Sequence, residues 1–174
     1  MYRNFILLLT FFNTLFISCI KENNLVITGF KPIYIPQDSL YHIYNADTQA
    51  IVNAGNILIW NNFLFINEVN KGIHVIDKSY PSLAKKITFI KIYGNKNFSI
   101  ADSTLFADNG RDLLTIDIHD IYHVVLIDIL KDAISDQYNL KPDSTGYFEC
   151  IETNKGYVIG WQKSTLTNPK CSSY

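Results

Sequence analysis

Two histidines near the middle of the chain have a spacing that metal sites use. His119 and His123 are four residues apart, and on a helix this spacing would place both imidazoles on one face. They follow an apolar run that ends at Asp117 and has the composition of a strand, where the same spacing does not bring two side chains together. The pattern therefore favours separate structural histidines over a metal site.

Acidic residues and a third histidine offer two further candidate sites. Asp108 and Asp112 enclose Asn-Gly-Arg, but a calcium loop beginning at Asp108 would need Glu at its twelfth position, where His119 stands. His74 lies between Ile73 and Val75 in a strand-like run, so it should point away from both. The chain has no Gly-x-Ser-x-Gly elbow, Walker loop or Gly-x-Gly-x-x-Gly fingerprint. We predict a hairpin turn at 108–112, and no cofactor, metal ligand or catalytic residue.

The first residues have the layout of an export signal. Arg3 precedes a largely apolar stretch, which is interrupted by Asn13 and is too short to predict a membrane anchor. Leu15-Phe16-Ile17-Ser18-Cys19 resembles a bacterial lipobox, in which the Cys becomes acylated and forms the new N-terminus. The usual Leu three places before the Cys is replaced by Phe16. The resemblance implies lipidation of Cys19 and anchoring of the protein to a membrane. The alternative is an ordinary secretory signal in which Cys19 has no role.

The two remaining cysteines predict a disulfide. Cys150 and Cys171 are separated by 20 residues, and export to an oxidising compartment favours their pairing. A loop of this size would stabilise the fold by about 3 kcal/mol, provided that the two Cα atoms come within about 7 Å. Two reduced thiols are the alternative. A metal site has less support, since neither Cys has another Cys or His at a short spacing.

The length of the chain predicts one domain after processing. Removal of residues 1–18 leaves 156 residues, enough to bury a hydrophobic core. This mature part has 14 basic and 16 acidic residues, without a basic cluster, so we expect no nucleic-acid partner. We predict a signal peptide at 1–18, a lipidated N-terminus and linker at 19–30, and a β-repeat domain at 31–174.

The middle of the chain repeats itself. Residues 64–77 correspond to residues 105–117, with an offset of 41 residues at the start and 40 at the end. Each copy is an apolar strand, a polar turn and a second apolar strand that ends in Ile-Asp. Asn70-Lys71-Gly72 and Asn109-Gly110 are typical of hairpin turns, the second of a type I′ turn. Self-similarity at this period indicates stacked β units, with four strands in each as in a propeller blade. Leu130 to Asn139 is the one candidate for a helix.

The repeat resembles a known family. Residues 62–68, followed by Lys71-Gly72-Ile73-His74-Val75-Ile76-Asp77, are similar to the LVIVD repeat of bacterial surface lipoproteins, especially those of the Bacteroidetes. Residues 113–117 are a looser match, and the resemblance covers about residues 50–130. It implies an all-β, propeller-like fold and export to the cell envelope, with the outer membrane as the expected location. It implies no activity. Because two repeats are fewer than most closed propellers have, we expect a small or incomplete propeller, or else a β-sheet stack that self-associates.

Three functions are compatible with these residues. The first, which we favour, is a non-enzymatic lipoprotein of the cell envelope whose β-repeat domain binds a protein or glycan partner. The second is an extracytoplasmic hydrolase, which would need at least two of His74, His119, His123, Asp108 and Asp112 to converge in one pocket. The third is a structural subunit that completes a sheet with another chain.

Overall fold

The computed structural model describes residues 24–134 and 140–174, and these residues form an all-β fold. The predicted all-β class is thereby confirmed. Cys19 and the segment predicted as a signal peptide lie outside the described residues. No helix in the described part of the chain is long and apolar enough to span a membrane.

Thirteen strands within residues 24–134 and 140–174 make up three sheets. Their bounds are β1 Val26–Ile35, β2 Tyr44–Ala46, β3 Ala54–Trp60, β4 Phe63–Glu68, β5 Gly72–Asp77, β6 Lys85–Lys91, β7 Phe98–Ala101, β8 Thr104–Asp108, β9 Leu113–Asp117, β10 Val125–Leu130, β11 Gly146–Phe148, β12 Tyr157–Thr167 and β13 Cys171–Ser173. Three short 3-10 turns lie at Gln37–Tyr41, Pro81–Leu83 and Thr153–Lys155.

The two segments that resemble each other in sequence lie in separate antiparallel sheets. In the five-stranded sheet the order is β2-β6-β5-β4-β3, and in the β7–β10 sheet it is β10-β9-β8-β7. Both predicted hairpins are confirmed: Phe65 pairs with Val75 across β4 and β5, and Phe106 pairs with Thr115 across β8 and β9. The predicted type I′ turn is wrong, because residues 109–112 form a longer loop in which the Asn109 N–H donates to the Asp112 carbonyl.

These two sheets share one hydrophobic core. Alternate residues of β4, β5 and β6 point into it, as do alternate residues of β8 and β9, which is the period expected of half-buried strands. Phe65, Ile73, Leu105 and Ile116 are each 0% exposed there. Burial of apolar surface stabilises a fold by about 25 cal/mol per Å², so these large buried side chains are the main source of stability.

A third sheet, here called the terminal sheet, joins the two ends of the described chain. Its order is β12-β1-β11-β13, with β1 antiparallel to β12 and parallel to β11. Because β1 begins at Val26, the sheet includes residues 26–30, which the sequence assigned to the linker. Leu40, 1% exposed, packs with Ile35 and Ile159 in a second small core.

The predicted helix is not present in the part of its range that the structure describes. Leu130 is the last residue of β10, paired with Leu113, and residues 131–134 form a turn. Residues 135–139 lie outside the described residues. Ala133 and Ile134, the apolar residues that suggested a helix, lie outside any helix or strand after the edge strand β10.

Candidate functional site

The two histidines with metal-site spacing lie near Asp120 in one turn, and neither lines any of the three clefts described below. His123 Nδ1 lies 2.8 Å from Asp120 Oδ2, in a pair that is largely exposed to solvent. The backbone N–H of His119 donates to Asp117 Oδ1 at 2.8 Å. Both residues belong to the turn between β9 and β10, where the hydrogen bonds hold the turn. Among the described residues, no group of three or more His, Cys, Asp and Glu side chains could hold a metal ion.

The other three candidates for hydrolysis are each bound in a separate contact. His74 is 1% exposed and its Nε2–H donates to Glu68 Oε2 at 3.1 Å. Asp108 accepts hydrogen bonds from the loop after β6. Asp112 accepts the Tyr41 hydroxyl at 2.7 Å, and burial together with this hydrogen bond raises the pKa of Tyr41 to about 12. His74 was predicted as an exposed or hydrogen-bonded structural histidine, and it is a buried one that is hydrogen-bonded.

The structure contains the predicted disulfide between Cys150 and Cys171. Their Cα atoms are 5.3 Å apart, within the range that a disulfide requires. The bond is possible because β11 and β13 are antiparallel neighbours, which brings the chain after β11 next to Cys171 at the start of β13. It therefore ties the C-terminal strand to the terminal sheet.

A polar cavity of about 230 Å³, which we call the junction cavity, lies between the terminal sheet, the loops that end the five-stranded sheet and the loop that leads from it to the β7–β10 sheet. The terminal sheet supplies Phe30, Gly160 and Trp161 to its wall. Loops at the ends of the other two sheets supply Asn53, Asn70 and Lys96, and the segment before β11 supplies Asp143 and Ser144. Pockets form preferentially at such junctions, where a few polar groups converge on a largely preformed space.

Two other clefts are larger but belong to one sheet each. The first, about 470 Å³, lies on the terminal sheet beside Cys150, and its Lys31 and Glu149 are 3.7 Å apart as an ion pair. The second, about 490 Å³, lies on the β7–β10 sheet over Phe106 and Leu113. Asp108 lines this second cleft, but its Oδ1 already accepts backbone N–H groups. The junction cavity is therefore the better candidate for a site.

Two buried carboxylates hold the loops that reach the junction cavity. Glu68, at the end of β4, accepts the N–H of Val52 at 2.9 Å and the N–H of Asn53 at 2.8 Å. Asp108, at the end of β8, accepts the N–H of Lys96 at 2.6 Å and the N–H of Asn97 at 3.0 Å. Hydrogen bonds from main-chain N–H groups to a carboxylate are among the stronger neutral-to-charged contacts in proteins. In each of the two sheets, a buried carboxylate at the end of a strand thus accepts backbone N–H groups of a loop and holds that loop at the cavity.

The environments of these carboxylates shift their pKa values in opposite directions. Burial alone would raise the pKa of Glu68, but the Val52 N–H, the His74 ring and the Asn53 N–H together hold this pKa below its ordinary value. For Asp108 burial prevails and raises the pKa, although its hydrogen bonds oppose the rise. Both groups have a structural role, since they accept hydrogen bonds from loop N–H groups and from the His74 ring or the Asn95 amide, and neither lines the junction cavity.

Asn70 presents a hydrogen-bond acceptor without a partner. Its main chain is fixed on both sides, because its N–H donates to the Asn95 carbonyl at 2.7 Å and its carbonyl accepts the Gly94 N–H at 3.0 Å. Its φ is 66°, a left-handed conformation that Asn tolerates better than most residues. Its side-chain Oδ1 is buried and accepts no hydrogen bond from the described residues. A buried acceptor of this kind costs about 1–3 kcal/mol unless water or a ligand satisfies it.

Charged and aromatic groups complete the wall. Lys96, whose side chain is 16% exposed, lies 3.5 Å from Asp143 Oδ2. Trp161 stacks edge-on against Phe148, with ring centroids 5.2 Å apart. A methyl group at Gly160 would lie 2.8 Å from Asn70 Nδ2, so the missing side chain leaves room for the amide. The cavity therefore combines an amide, an indole and a lysine whose partner Asp143 has a side chain that is 88% exposed.

Sequence reasoning did not single out Asn70, Lys96 or Trp161 as site residues. They are distant in the chain and belong to no motif with a recognisable spacing. The available signal was indirect: a polar or acidic residue ends the first apolar strand of both similar segments, at Asn67-Glu68 and at Asp108-Asn109. Such residues at the end of a buried strand are candidates for fixing a loop.

Comparison of this chain with protein-family models, with curated proteins and with solved structures finds no match to any of the three.

Proposed function

We propose that the protein is a non-enzymatic, lipid-anchored protein of the bacterial cell envelope, whose β-repeat domain binds a ligand or partner at the junction cavity. The observation that carries this proposal is the cavity itself, in which the terminal sheet and the loops at the ends of the other sheets bring several polar groups together. The candidate hydrolytic residues, in contrast, are held in separate contacts, as described above.

We propose further that the two similar segments are blades of a small or incomplete propeller related to the LVIVD repeat. Support comes from the order of strands: β3 to β6 and β7 to β10 are both antiparallel meanders of four strands, and the two share a core. The edges of neighbouring meanders also approach each other, since the Asn56 amide reaches the Phe98 carbonyl at 3.5 Å.

The proposed location is supported by the disulfide, because such bonds persist mainly outside the cytoplasm. Lipidation of Cys19 explains how one domain is retained at a membrane. We infer an outer-membrane location from the resemblance to surface lipoproteins.

Anchoring is tested with the full-length chain expressed in a bacterium that is fed labelled palmitate. We expect wild-type protein to carry the label and to sediment with membranes, and the Cys19→Ala variant to lose both properties. The matched control is the Cys150→Ala/Cys171→Ala double variant, which should keep the label. If Cys19→Ala retains the lipid, or if wild-type protein never acquires it, the anchoring proposal is wrong. Protease treatment of intact cells then separates outward display, where the protein is digested, from the periplasmic face.

The alternative in which another chain completes a sheet makes a different prediction. Strand β3 is an edge strand on which Ile57 and Ile59 are 60% and 64% exposed. Exposed apolar edges are sites of pairing with another chain. A structural subunit would sediment as an oligomer that the Ile57→Lys/Ile59→Lys double variant dissociates, whereas the binding protein proposed here sediments as a monomer in both forms.

A further inference from the structure

We infer that a second copy of this chain docks head to tail on the first, with the outer face of its five-stranded sheet against the outer face of the β7–β10 sheet. The outer face of each sheet is the face that points away from the core that the two sheets share. This interaction goes beyond the proposed ligand binding and does not involve the junction cavity. It is carried by the register of the strands, by the exposure of equivalent residues and by charge.

Strand pairing identifies the side chains of the two outer faces. Residues that pair across neighbouring antiparallel strands point to the same side of a sheet, and alternate residues of one strand point to opposite sides. Apolar residues that point away from the shared core of the five-stranded sheet are Ile57, Ile59, Leu64, Ile66 and Ile76. Those that point away from it on the β7–β10 sheet are Phe106, Leu113, Val125 and Leu130. Each outer face therefore carries several apolar side chains.

Strands β3 and β7 are equivalent, but one is exposed where the other is buried. The alignment of the two similar segments, extended through strand pairing, makes Ile57 equivalent to Phe98 and Ile59 equivalent to Ile100. Phe98 is 6% exposed, and Ile100 packs against the shared core. Ile57 and Ile59, in contrast, are 60% and 64% exposed. The outer face of the five-stranded sheet thus corresponds to the face that the β7–β10 sheet buries inside the chain.

The opposite difference is found on the other face of the repeat. Phe65 is equivalent to Phe106, and Val75 is equivalent to Thr115. Phe65 and Val75 are 0% exposed in the shared core. Phe106 and Thr115 are only half-buried, and Phe106 lines the cleft of about 490 Å³ described above. The outer face of the β7–β10 sheet thus corresponds to the face that the five-stranded sheet buries inside the chain.

A second copy supplies the partner that each outer face lacks. Within one chain, the face of the five-stranded sheet that includes Phe65 packs against the face of the β7–β10 sheet that includes Leu105. The same contact between two chains places the face with Phe106 against the face with Leu64 of the next copy. Such a head-to-tail contact gives a ring if the rotation between successive sheets closes, and an open chain of copies if it does not.

The charges on the two outer faces are complementary. Lys86 pairs with Ile76 and therefore belongs to the outer face of the five-stranded sheet. Asp128 pairs with Thr115 and belongs to the outer face of the β7–β10 sheet. Both charged residues are exposed, and they lie on equivalent strands, β6 and β10. Opposite charges favour contact between the two different faces over contact between two identical faces, in which like charges would meet.

The uncovered area indicates that this contact is weak in dilute solution. Residues 49–53 are hydrogen-bonded to Glu68 and Lys86 and cover part of the outer face of the five-stranded sheet. The few apolar side chains that remain exposed present less than the roughly 800 Å² that each partner buries in a stable complex. We therefore expect a monomer in dilute solution, as stated above, and association where copies are concentrated at one membrane surface.

The test is photo-crosslinking in the bacterium that expresses the full-length chain. One copy carries an affinity tag and Phe106→p-benzoylphenylalanine, which keeps the ring and places the reactive group at the cleft. A second copy carries a different tag and no photoreactive residue. Under ultraviolet light we expect an adduct that contains both tags and is linked through β3 or β4 of the second copy. Tyr174→p-benzoylphenylalanine, at an 88% exposed position outside both faces, is the control and should give no such adduct.

Substitutions in one copy at a time distinguish a head-to-tail contact from a symmetric one. Ile57→Lys/Ile59→Lys in the second copy should lower the yield of the mixed adduct at least about tenfold, because docking would bury two ammonium groups. The same substitutions in the photoreactive copy should leave the yield unchanged, since that copy docks through its other face. Leu25→Lys/Val26→Lys in the second copy is the matched control at the start of β1, and it should also leave the yield unchanged. All four residues are more than half exposed, so the fold tolerates these changes.

Each outcome decides the inference. Loss of the mixed adduct only when the second copy is substituted supports head-to-tail docking. The inference is overturned if no adduct contains both tags, if Phe106→p-benzoylphenylalanine captures a different protein instead, or if the lysine substitutions in the second copy have no effect. An equal loss from either copy would also overturn it, because it would indicate a symmetric contact such as pairing of two β3 edges. The anchoring proposal keeps its own test and does not depend on this result.

Discussion

Single buried polar residues give this protein its site, although none of them is placed to react. Glu68 is 1% exposed, yet its two oxygens receive the N–H groups of Val52 and Asn53 and the ring of His74. A buried charge is tolerated when hydrogen bonds replace its hydration, and the net stabilisation then depends on keeping every partner. The carboxylate of Glu68 thus acts on the cavity through the backbone of Asn53, as a positioning group.

Glu68→Gln should lower the free energy of unfolding by about 1–3 kcal/mol at neutral pH, because one carboxylate oxygen becomes an NH2 group that faces backbone donors. The pKa of Glu68 is lowered by folding, so its contribution is fully present above its ordinary pKa of 4.5 and is lost as the pH falls through the folded-state pKa. Urea unfolding of both proteins between neutral and acidic pH measures the difference between their free energies of unfolding. This difference should disappear as the pH is lowered.

The control for this prediction is Glu152→Gln. Glu152 lies 2.6 Å from Lys155 in a half-exposed ion pair, and such pairs contribute about 0–1 kcal/mol. If the difference in free energy of unfolding between wild type and Glu68→Gln stays constant down to strongly acidic pH, the ionised carboxylate of Glu68 is not what stabilises the fold.

At the scale of elements, the terminal sheet depends on a covalent link that the other sheets do not have. Its strand β13 has three residues and forms the edge of the sheet, paired through Phe148 with Cys171. Short edge strands contribute few hydrogen bonds and separate easily from a sheet. The disulfide holds this strand in place by limiting the freedom of the unfolded chain.

Cys150→Ala/Cys171→Ala should lower the free energy of unfolding by about 3 kcal/mol, the loop-entropy value for a separation of 21 residues. Urea unfolding of the oxidised wild type and of the double variant measures the difference. Adding a reductant to the double variant is the control and should change nothing. If the double variant is as stable as the oxidised protein, the bond does not constrain the unfolded chain in the way we describe.

Across the whole molecule, contacts between sheets indicate one cooperative unit. Leu40 packs between residues of the terminal sheet and Tyr41, and the hydroxyl of Tyr41 binds Asp112 next to β9. The Tyr157 hydroxyl likewise accepts the Arg111 N–H at 3.3 Å, joining β12 to the loop between β8 and β9. The cavity exists because these contacts hold the terminal sheet against the other two.

Trp60 in the five-stranded sheet and Trp161 in the terminal sheet should therefore report one unfolding transition. The Trp60→Phe variant reports unfolding through Trp161, and the Trp161→Phe variant reports it through Trp60. We expect the urea unfolding curves of the two variants to coincide after correction for the effect of each substitution on the free energy of unfolding. Leu40→Ala should shift both curves together by about 2–5 kcal/mol, the cost of truncating a buried leucine. Separate midpoints for the two reporters in the Leu40→Ala protein would show that the terminal sheet unfolds alone.

Much of the fold could be predicted from the sequence, because strands and hairpins are local. The alternation around Phe65, the turn at Asn70-Lys71-Gly72 and the polar break at 109–112 each lie within a few residues, so side-chain period and backbone freedom are enough to predict them. The helix at Leu130 to Asn139 was wrong at its start because Leu130 completes β10 by pairing with Leu113, and this contact lies outside the local pattern from which the helix was predicted. The exact start of the domain at Val26 depended on pairing with Thr167, more than 100 positions away.

The predicted export signal before Cys19 and the similarity of the two repeats were inferred from the sequence by itself, and our proposal for where the protein acts depends on them. The pairing of Cys150 with Cys171 could also be predicted from the sequence, since few cysteines leave few possible partners. The junction cavity could not be predicted in this way. Phe30 and Trp161 come from the terminal sheet, whereas Asn70 and Lys96 lie in loops beyond the five-stranded sheet, and only the packing of these parts brings them to one cavity. Local patterns encode which residues form a strand, whereas convergence of distant side chains depends on long-range contacts that no spacing in the chain records.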